Sequence, residues 1–453
     1  MRTVFAGILQ IPPGHYLLAT PNHLQLVRYW DFNYPTIAAS GQRKSDADYA
    51  AEVRHALDEA VRLRLRADVP VGCYLSGGLD SCAVLGLAAR HHSGPIRAFT
   101  LAFDGRDYNE EAEAREMAAK AGAEFHPIPI RQAELADHFA DAIAQAEGPC
   151  INAHGVAKYL LSRAVRDAGF KVVLTGEGAD EIFAGYPPFR RDMLLHNTEA
   201  RDPATVASLL EELHQTNPVS RGLMLLHGEA QPLERIQRLL GFVPSFIETM
   251  AAGAAKYRAL LTGSFLKRFG ANTPYESCCD GLDIHGQLTG REPVHQSLYL
   301  WSKTILARYV LTMLGDRMEM AHSIEGRLPF LDHHLVEVVR SQPVSQKIRG
   351  TTEKYVLREA TRDVITDTVY RRHKHPFVTP PATLNPKDKL YSLVQDQLRG
   401  PTLAAMPFFD RKKVITLLDN LDTMDENARV AYDPILMTVL SMCVLQERFK
   451  LTA

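Results

Sequence analysis

Val69-Pro70-Val71-Gly72-Cys73-Tyr74-Leu75-Ser76-Gly77-Gly78-Leu79-Asp80-Ser81 is the stretch on which the reading of this chain turns. Val69–Leu75 is a short apolar run of strand length, and Ser81–His91 carries apolar residues at helical spacing. The hexapeptide between them has the physics of an anion site. Gly77 and Gly78 lack Cβ atoms and let a backbone approach a ligand closely. A helix opening here offers unpaired N–H groups and the positive end of its dipole, and Ser76 and Ser81 add hydroxyl donors. No G-x-x-x-x-G-K-[ST] occurs, so this is not a Walker A loop. A carboxylate at Asp80 repels a polyphosphate unless a cation lies between them, which makes Asp80 a candidate Mg2+ ligand; the structural alternative is a helix cap.

Upstream, Tyr49, Val53, Ala56, Leu57, Ala60 and Val61 fall at helical spacing behind Ser45 or Asp46 as N-cap. Downstream, strand signals at Ile96–Phe103, Glu124–Ile130 and Lys171–Thr175 alternate with helical patterns at Glu110–Ala121, Gln132–Ala146 and Gly155–Ala168. Such alternation predicts an α/β fold: a parallel sheet with right-handed crossovers and helices on both faces. After about Tyr186 strand signals fade; 203–314 reads as a series of helices, and the C-terminal part as helix and loop with breakers at Val378-Thr379-Pro380-Pro381. Residues 1–33 read as a β remnant with strands His15–Ala19 and Leu24–Tyr29, too small to bury a core alone. Residues 34–46 are linker-like, and 47–453 form the main unit, with an α/β core over 47–190 and a mostly helical remainder over 191–453.

The 453 residues are 46% hydrophobic and 23% charged, an ordinary globular composition. Lys+Arg 51 against Asp+Glu 53 argues against a protein built on nucleic-acid backbone contacts, which need a cation surplus. Six cysteines (Cys73, Cys82, Cys150, Cys278, Cys279, Cys443) are too few and too irregular for a disulfide framework, and Cys278-Cys279 lacks the partners of a zinc site. The N-terminus has no apolar h-region, and Leu298–Leu314, interrupted by Lys303 and Arg308, reads as a buried helix and not a membrane span. A cytoplasmic protein without membrane partners is the expectation.

A second glycine-rich loop follows the strand at Lys171–Thr175: Gly176-Glu177-Gly178-Ala179-Asp180-Glu181-Ile182-Phe183-Ala184-Gly185-Tyr186. In a parallel sheet it faces the first loop across a crevice at the switch point. The S-G-G-x-D-S hexapeptide resembles the pyrophosphate loop of the PP-loop ATP pyrophosphatases, in which attack falls on the α-phosphorus and yields an adenylate and pyrophosphate. The G-E-G-A-D-E-x-F-x-G-Y run is similar to that of the glutamine-hydrolysing asparagine synthetases. The same family carries stretches like Glu325-Gly326-Arg327-Leu328-Pro329-Phe330-Leu331-Asp332, Glu353–Ala360 and Arg372–Phe377, and the resemblance extends from about 47 to 380.

That resemblance implies an AMP-forming amide ligase that adenylates a carboxylate, most simply L-aspartate, and transfers ammonia to it. It assigns ATP contacts to Leu75, Ser76, Gly77, Gly78, Asp80, Ser81 and Gly176, and Mg2+ to Asp80 and Asp180. Glu177 faces the substrate and helps deprotonate the attacking amine, and Lys354 stabilises charge developing near the α-phosphate. Glu181, Arg327 and Asp332 are the substrate-side residues. The structural alternatives are a solvated first-turn position for Lys354 and an ion pair or cap for Arg327 and Asp332. Gly326 stands where the family more often has a larger residue. Residues 3–31 resemble the closing strands of the family's glutaminase domain, and no cysteine precedes Cys73. The resemblance therefore implies free ammonia, a separate glutaminase subunit or a different amine as nitrogen source. A homodimer is a further candidate. The competing expectations are a β-lactam-synthetase-like or natural-product amidotransferase acting on another acid, an enzyme acting on tRNA, and a non-catalytic scaffold. Glu177, where the β-lactam formers have Tyr, favours intermolecular amidation.

Overall fold

Along the strand ahead of the first loop, alternate side chains enter two different cores. Val71 and Cys73 pack on one face of a sheet, while Tyr74 packs on the other with Phe99 and Phe103. Both faces are thus covered, as a parallel sheet requires. The structure, a computed structural model, describes residues 2–39, 44–105, 108–196, 202–217, 224–226, 230–270, 274 and 279–451. Cys278 and residues 40–43 of the expected linker lie outside them.

A two-stranded antiparallel hairpin, β1 (His15–Thr20) and β2 (His23–Arg28), comes first. Helix α1 (Asp46–Arg64) then starts at a capping box formed by Ser45 and Asp48. The central sheet contains β3 (Val71–Tyr74), β4 (Arg97–Phe103), β5 (Glu124–Ile130), β6 (Val172–Leu174) and β7 (Glu325–Arg327), ordered β5-β4-β3-β6-β7 with every pair parallel. Helices α2 (Leu79–His91), α3 (Glu111–Ala121), α4 (Gln132–Ala146) and α5 (His154–Asp167) make the crossovers. From β3 the chain steps outward to β5 and then returns to β6 on the other side. The order therefore reverses between β3 and β6, and a crevice opens beyond their C-terminal ends.

Two features depart from the sequence expectation. β7 pairs with β6 although strand signals fade after Tyr186; Glu-Gly-Arg has no β-branched or aromatic residue, so tertiary pairing overrides propensity. The apolar stretch around Leu298–Leu314 is not one regular buried helix. An α-helix over Pro293–Trp301 passes into a segment wound with i→i+5 geometry over Ser302–Asp316, where only Ser302, Lys303, Leu306 and Gly315 are buried. The one helix long and apolar enough to cross a membrane, among the described residues, is Glu426–Phe449. Leu436, Val439, Leu440, Cys443 and Leu445 of that helix are packed in the second core.

The N-terminal hairpin leaves Leu17, Leu18, Leu24 and Leu26 exposed, and the segment after it is anchored by charge. Asp31 accepts from Lys303 Nζ at 2.9 Å and from the Tyr299 hydroxyl at 3.1 Å, tying the segment to the helices that line the crevice.

Candidate active site

The two glycine-rich loops meet at the crevice floor. Ser76 N–H donates to Ser81 Oγ at 3.0 Å, and Gly78 N–H donates to Ser76 Oγ at 3.3 Å, so the first loop is closed on itself. Gly78 is the N-cap of α2, not Asp80, and the Asp80 side chain points elsewhere. A Cβ on Gly77 would stand 2.6 Å from the Arg372 guanidinium, which donates to the Gly77 carbonyl at 3.0 Å. A Cβ on Gly176 would stand 2.7 Å from Ser81 N, so that glycine lets the second loop lie against the first. Gly178, at φ +93°, leaves room for Leu331 beneath the second loop.

Two carboxylates and two ammonium groups form the centre. Lys354 Nζ donates to both oxygens of Asp80, at 2.7 and 2.6 Å, and lies 2.5 Å from Asp180 Oδ1. Lys374 Nζ is 2.7 Å from Asp180 Oδ2 and 3.9 Å from Asp80 Oδ2. Burial pushes the Asp80 carboxyl up despite Lys354. Burial also acts on Asp180, but its two lysines outweigh it and hold the group below the usual range. Lys354 is only 1% exposed, which excludes a solvated position, and its backbone is left-handed at φ 53°. Non-glycine residues adopt that conformation at a cost and concentrate at functional sites. Its neighbour Glu353 accepts from Arg358 at 2.6 Å and lies 3.2 Å from Arg190, which fixes the turn from below. A Cβ on Gly185 would overlap both Asp180 Oδ1 and Lys354, so glycine is required there.

A second charge cluster flanks the first. Lys158 Nζ lies 2.6 Å from Glu177 Oε1 and 3.1 Å from Glu319 Oε1, and 4.5 Å from the centre of the Tyr74 ring. A Cβ at position 326 would overlap the Glu319 carboxylate, so Gly326 admits the third member of this triad. Glu181 is 1% exposed; it accepts from the Tyr186 hydroxyl at 3.1 Å and from Trp301 Nε1 at 3.4 Å. Burial, with Asp180 beside it, pushes its carboxyl up to about 7.

The crevice encloses about 470 Å³ and is lined by Leu75, Ser76, Gly78, Asp80, Ser81, Gly176, Glu177, Asp180, Glu181 and Lys354 of the expected site. Gly77 borders it through Arg372. Arg327 and Asp332 are not brought to it. Arg327 donates to the carbonyls of Arg64 and Arg66, each at 2.7 Å, and lies 2.8 Å from Glu325. Asp332 caps the helix His333–Ser341 through His334 N–H and pairs with Arg64 at 2.9 Å. Both sit under the loops, in line with the ion-pair and cap alternative. Lys158, Lys374 and Trp301 line the crevice, and Glu319 lies behind Lys158; none of the four carries an assignment from the sequence. Lys374 lies within the Arg372–Phe377 motif, and Lys158 is a buried cation among the apolar residues of α5, a signal in itself.

Magnesium prefers one or two carboxylates plus phosphate oxygens. Asp80 and Asp180, buried, from two loops and reaching a common ammonium, fit that donor set, and Asp180 Oδ1 has no aligned hydrogen bond. Among the described residues no group of three or more His, Cys, Asp or Glu forms an all-protein cage.

The chain is similar in sequence to three curated proteins. It is 34% identical over 412 residues to the amidase chyE of Penicillium rubens, covering 84% of this chain and 59% of that protein. It is 30% identical over 473 residues to the amidase chry2 of Gibberella zeae, covering 99% of this chain and 69% of that protein. Against the glutamine-hydrolysing asparagine synthetase 1 of Bacillus subtilis the identity is 27% over 380 residues, covering 83% of this chain and 56% of that protein. The chain thus spans roughly 56–69% of the length of these curated relatives. The family profile described as asparagine synthase matches residues 52–443. With the match running from α1 to the last helix and taking in both loops and Lys354, this chain belongs to the asparagine synthase family.

Proposed function

We propose that this protein is an ATP-dependent, AMP-forming amide ligase. The observation that carries the reading is the meeting of the Ser76–Ser81 loop, Asp80, Asp180 and the paired lysines Lys354 and Lys374 at one crevice floor. In the first step a substrate carboxylate oxygen attacks the α-phosphorus of ATP; the bond from that phosphorus to the β-bridging oxygen breaks, and pyrophosphate leaves. In the second step ammonia attacks the acyl carbon, the acyl–oxygen bond to AMP breaks, and nitrogen loses one proton. The amide and AMP are the products.

The roles follow from position. Backbone N–H groups at the start of α2 and the Ser76 and Ser81 hydroxyls face the departing pyrophosphate. Asp80 and Asp180 hold Mg2+, which when bound neutralises polyphosphate charge. Lys354 and Lys374 move from the carboxylates to oxygens that gain charge as the α–β bond breaks. Glu177, held by Lys158, takes the proton from the amine. L-Aspartate is the simplest acid by family; a different acid is the second reading, favoured by similarity to two proteins named amidases. ATP–pyrophosphate exchange across a panel of carboxylic acids, with Asp80→Ala as control, tests the reaction. Exchange dependent on one acid and lost in the variant supports it. Absence of both exchange and ATP binding refutes it.

A further inference from the structure

The wall opposite the phosphate loop is apolar where an amino-acid substrate needs charge. Resting on the ligase reading above, we infer that the acid activated here is a monocarboxylic acid with an apolar or aromatic body, and not aspartate. The segment wound with i→i+5 geometry builds this wall. Trp301, the residue just before it, donates to Glu181, and near its end a Cβ on Gly315 would stand 3.4 Å from Glu177 Oε2. It therefore spans the distance between the two carboxylates that border the reacting end of the substrate. With i→i+5 winding, positions four or five apart share a face. Trp301, Ile305, Tyr309 and Leu314 follow that spacing, and all four line the crevice. Phe246 extends the surface by packing edge-to-face on Trp301 at 5.2 Å, and Met250 lines it one helical turn away.

The charges point the same way. Each Lys and Arg among the described lining residues already faces a carboxylate: Lys158 two of them, Lys354 and Lys374 the Asp80–Asp180 pair, Arg358 Glu353, and Arg372 Glu110. Lys354, Lys374 and Arg372 adjoin the phosphate loop, so nucleotide phosphates claim any charge they release. Aspartate has a second carboxylate and an ammonium besides the group being activated. Placing those against Ile305, Phe246 and Leu314 removes them from water without a partner, which is unfavourable. His154, whose burial holds its imidazole down at about 4 and whose Nε2 is 2.8 Å from the Tyr309 hydroxyl, is neutral and supplies no cation either. An apolar body loses nothing on entering and gains by leaving water.

The chain contains two tryptophans, Trp30 and Trp301, so Trp30→Phe leaves the wall residue as sole reporter. That variant, with Mg2+ and α,β-methylene-ATP, is titrated with 3-phenylpropionate, hexanoate and L-aspartate, following Trp301 fluorescence and, on the same samples, heat. The expected result is saturation by 3-phenylpropionate or hexanoate at concentrations at least about tenfold below those for aspartate. Met250→Arg, at a position 48% exposed and therefore tolerant, is expected to narrow that ratio by about tenfold. Equal or tighter binding of aspartate overturns the inference and leaves the ligase reading standing. Binding of none of the acids, with the nucleotide analogue still bound, overturns it as well. Failure to bind the analogue removes the ligase reading and the inference together.

Discussion

Replacing Lys354 by Met removes the ammonium that bridges the two buried carboxylates while keeping an unbranched side chain of similar length. In the native protein Lys354 Nζ sits 2.6 Å from Asp80 and 2.5 Å from Asp180, with its side chain 2% exposed. After substitution only Lys374 remains, 2.7 Å from Asp180 but 3.9 Å from Asp80. Breaking a buried pair costs about 3–5 kcal/mol because a charge is stranded. The surviving lysine puts the expected loss at the lower end, about 3 kcal/mol, read by equilibrium urea unfolding. Asp80→Asn in the same chain restores the balance of one carboxylate and one ammonium, so the double variant is expected to recover about 2 kcal/mol of that loss. Adenylation is expected to fall by roughly 10²–10³, the scale of one preorganised charge contact, in single and double variant alike. Additive stability losses, or exchange activity that survives in Lys354→Met, would refute the reasoning.

The remaining expectations concern residues around that centre. Gly326→Ala puts a methyl group where the Glu319 carboxylate lies; it is expected to cost about 1–3 kcal/mol in urea unfolding, and clearly less in a Glu319→Ala background. Asp332→Ala removes a helix cap, costing about 1 kcal/mol, yet leaves the KM for the acid unchanged, since Asp332 faces Arg64 and His334 and not the crevice. Glu353 is held below its ordinary value of 4.5: burial opposes this, but Arg190, His373 and Arg358 prevail. A depressed carboxyl contributes stability that is present above the unfolded-state value and lost as pH falls below it. The stability gap between wild type and Glu353→Gln is therefore expected to be full at pH 7 and to shrink steadily below about pH 4.5, as followed by urea midpoints across pH.

Both loops and the four central strands around them could be read from the chain because their signals are local. Val69–Leu75 and Lys171–Thr175 are apolar runs that end abruptly in glycines and acids, and helical spacing resumes directly after each. Asp80, Asp180 and Lys354 were reached through motifs, and the structure brings these three together although 174 residues separate Asp180 from Lys354. What could not be read depends on tertiary context. β7 is a strand only because β6 offers it a ladder. The i→i+5 winding of Ser302–Asp316 has the same apolar composition as an ordinary helix, so in sequence the wall it forms is indistinguishable from a buried helix. Arg327 and Asp332 stand in a motif that works from beneath, with Leu331 packed under Gly178 and Phe330 against Phe183 at 6.1 Å. A motif marks a site without saying which of its residues face the ligand.

The measurement that goes most directly to the central claim follows oxygen. An acid that supports exchange is labelled with ¹⁸O in its carboxyl group and turned over with ATP, Mg2+ and ammonia. Attack on the α-phosphorus transfers one carboxyl oxygen to the nucleotide, so the account expects AMP carrying a single ¹⁸O beside unlabelled pyrophosphate. Label in inorganic phosphate with ADP as the nucleotide product, or unlabelled AMP, would contradict it.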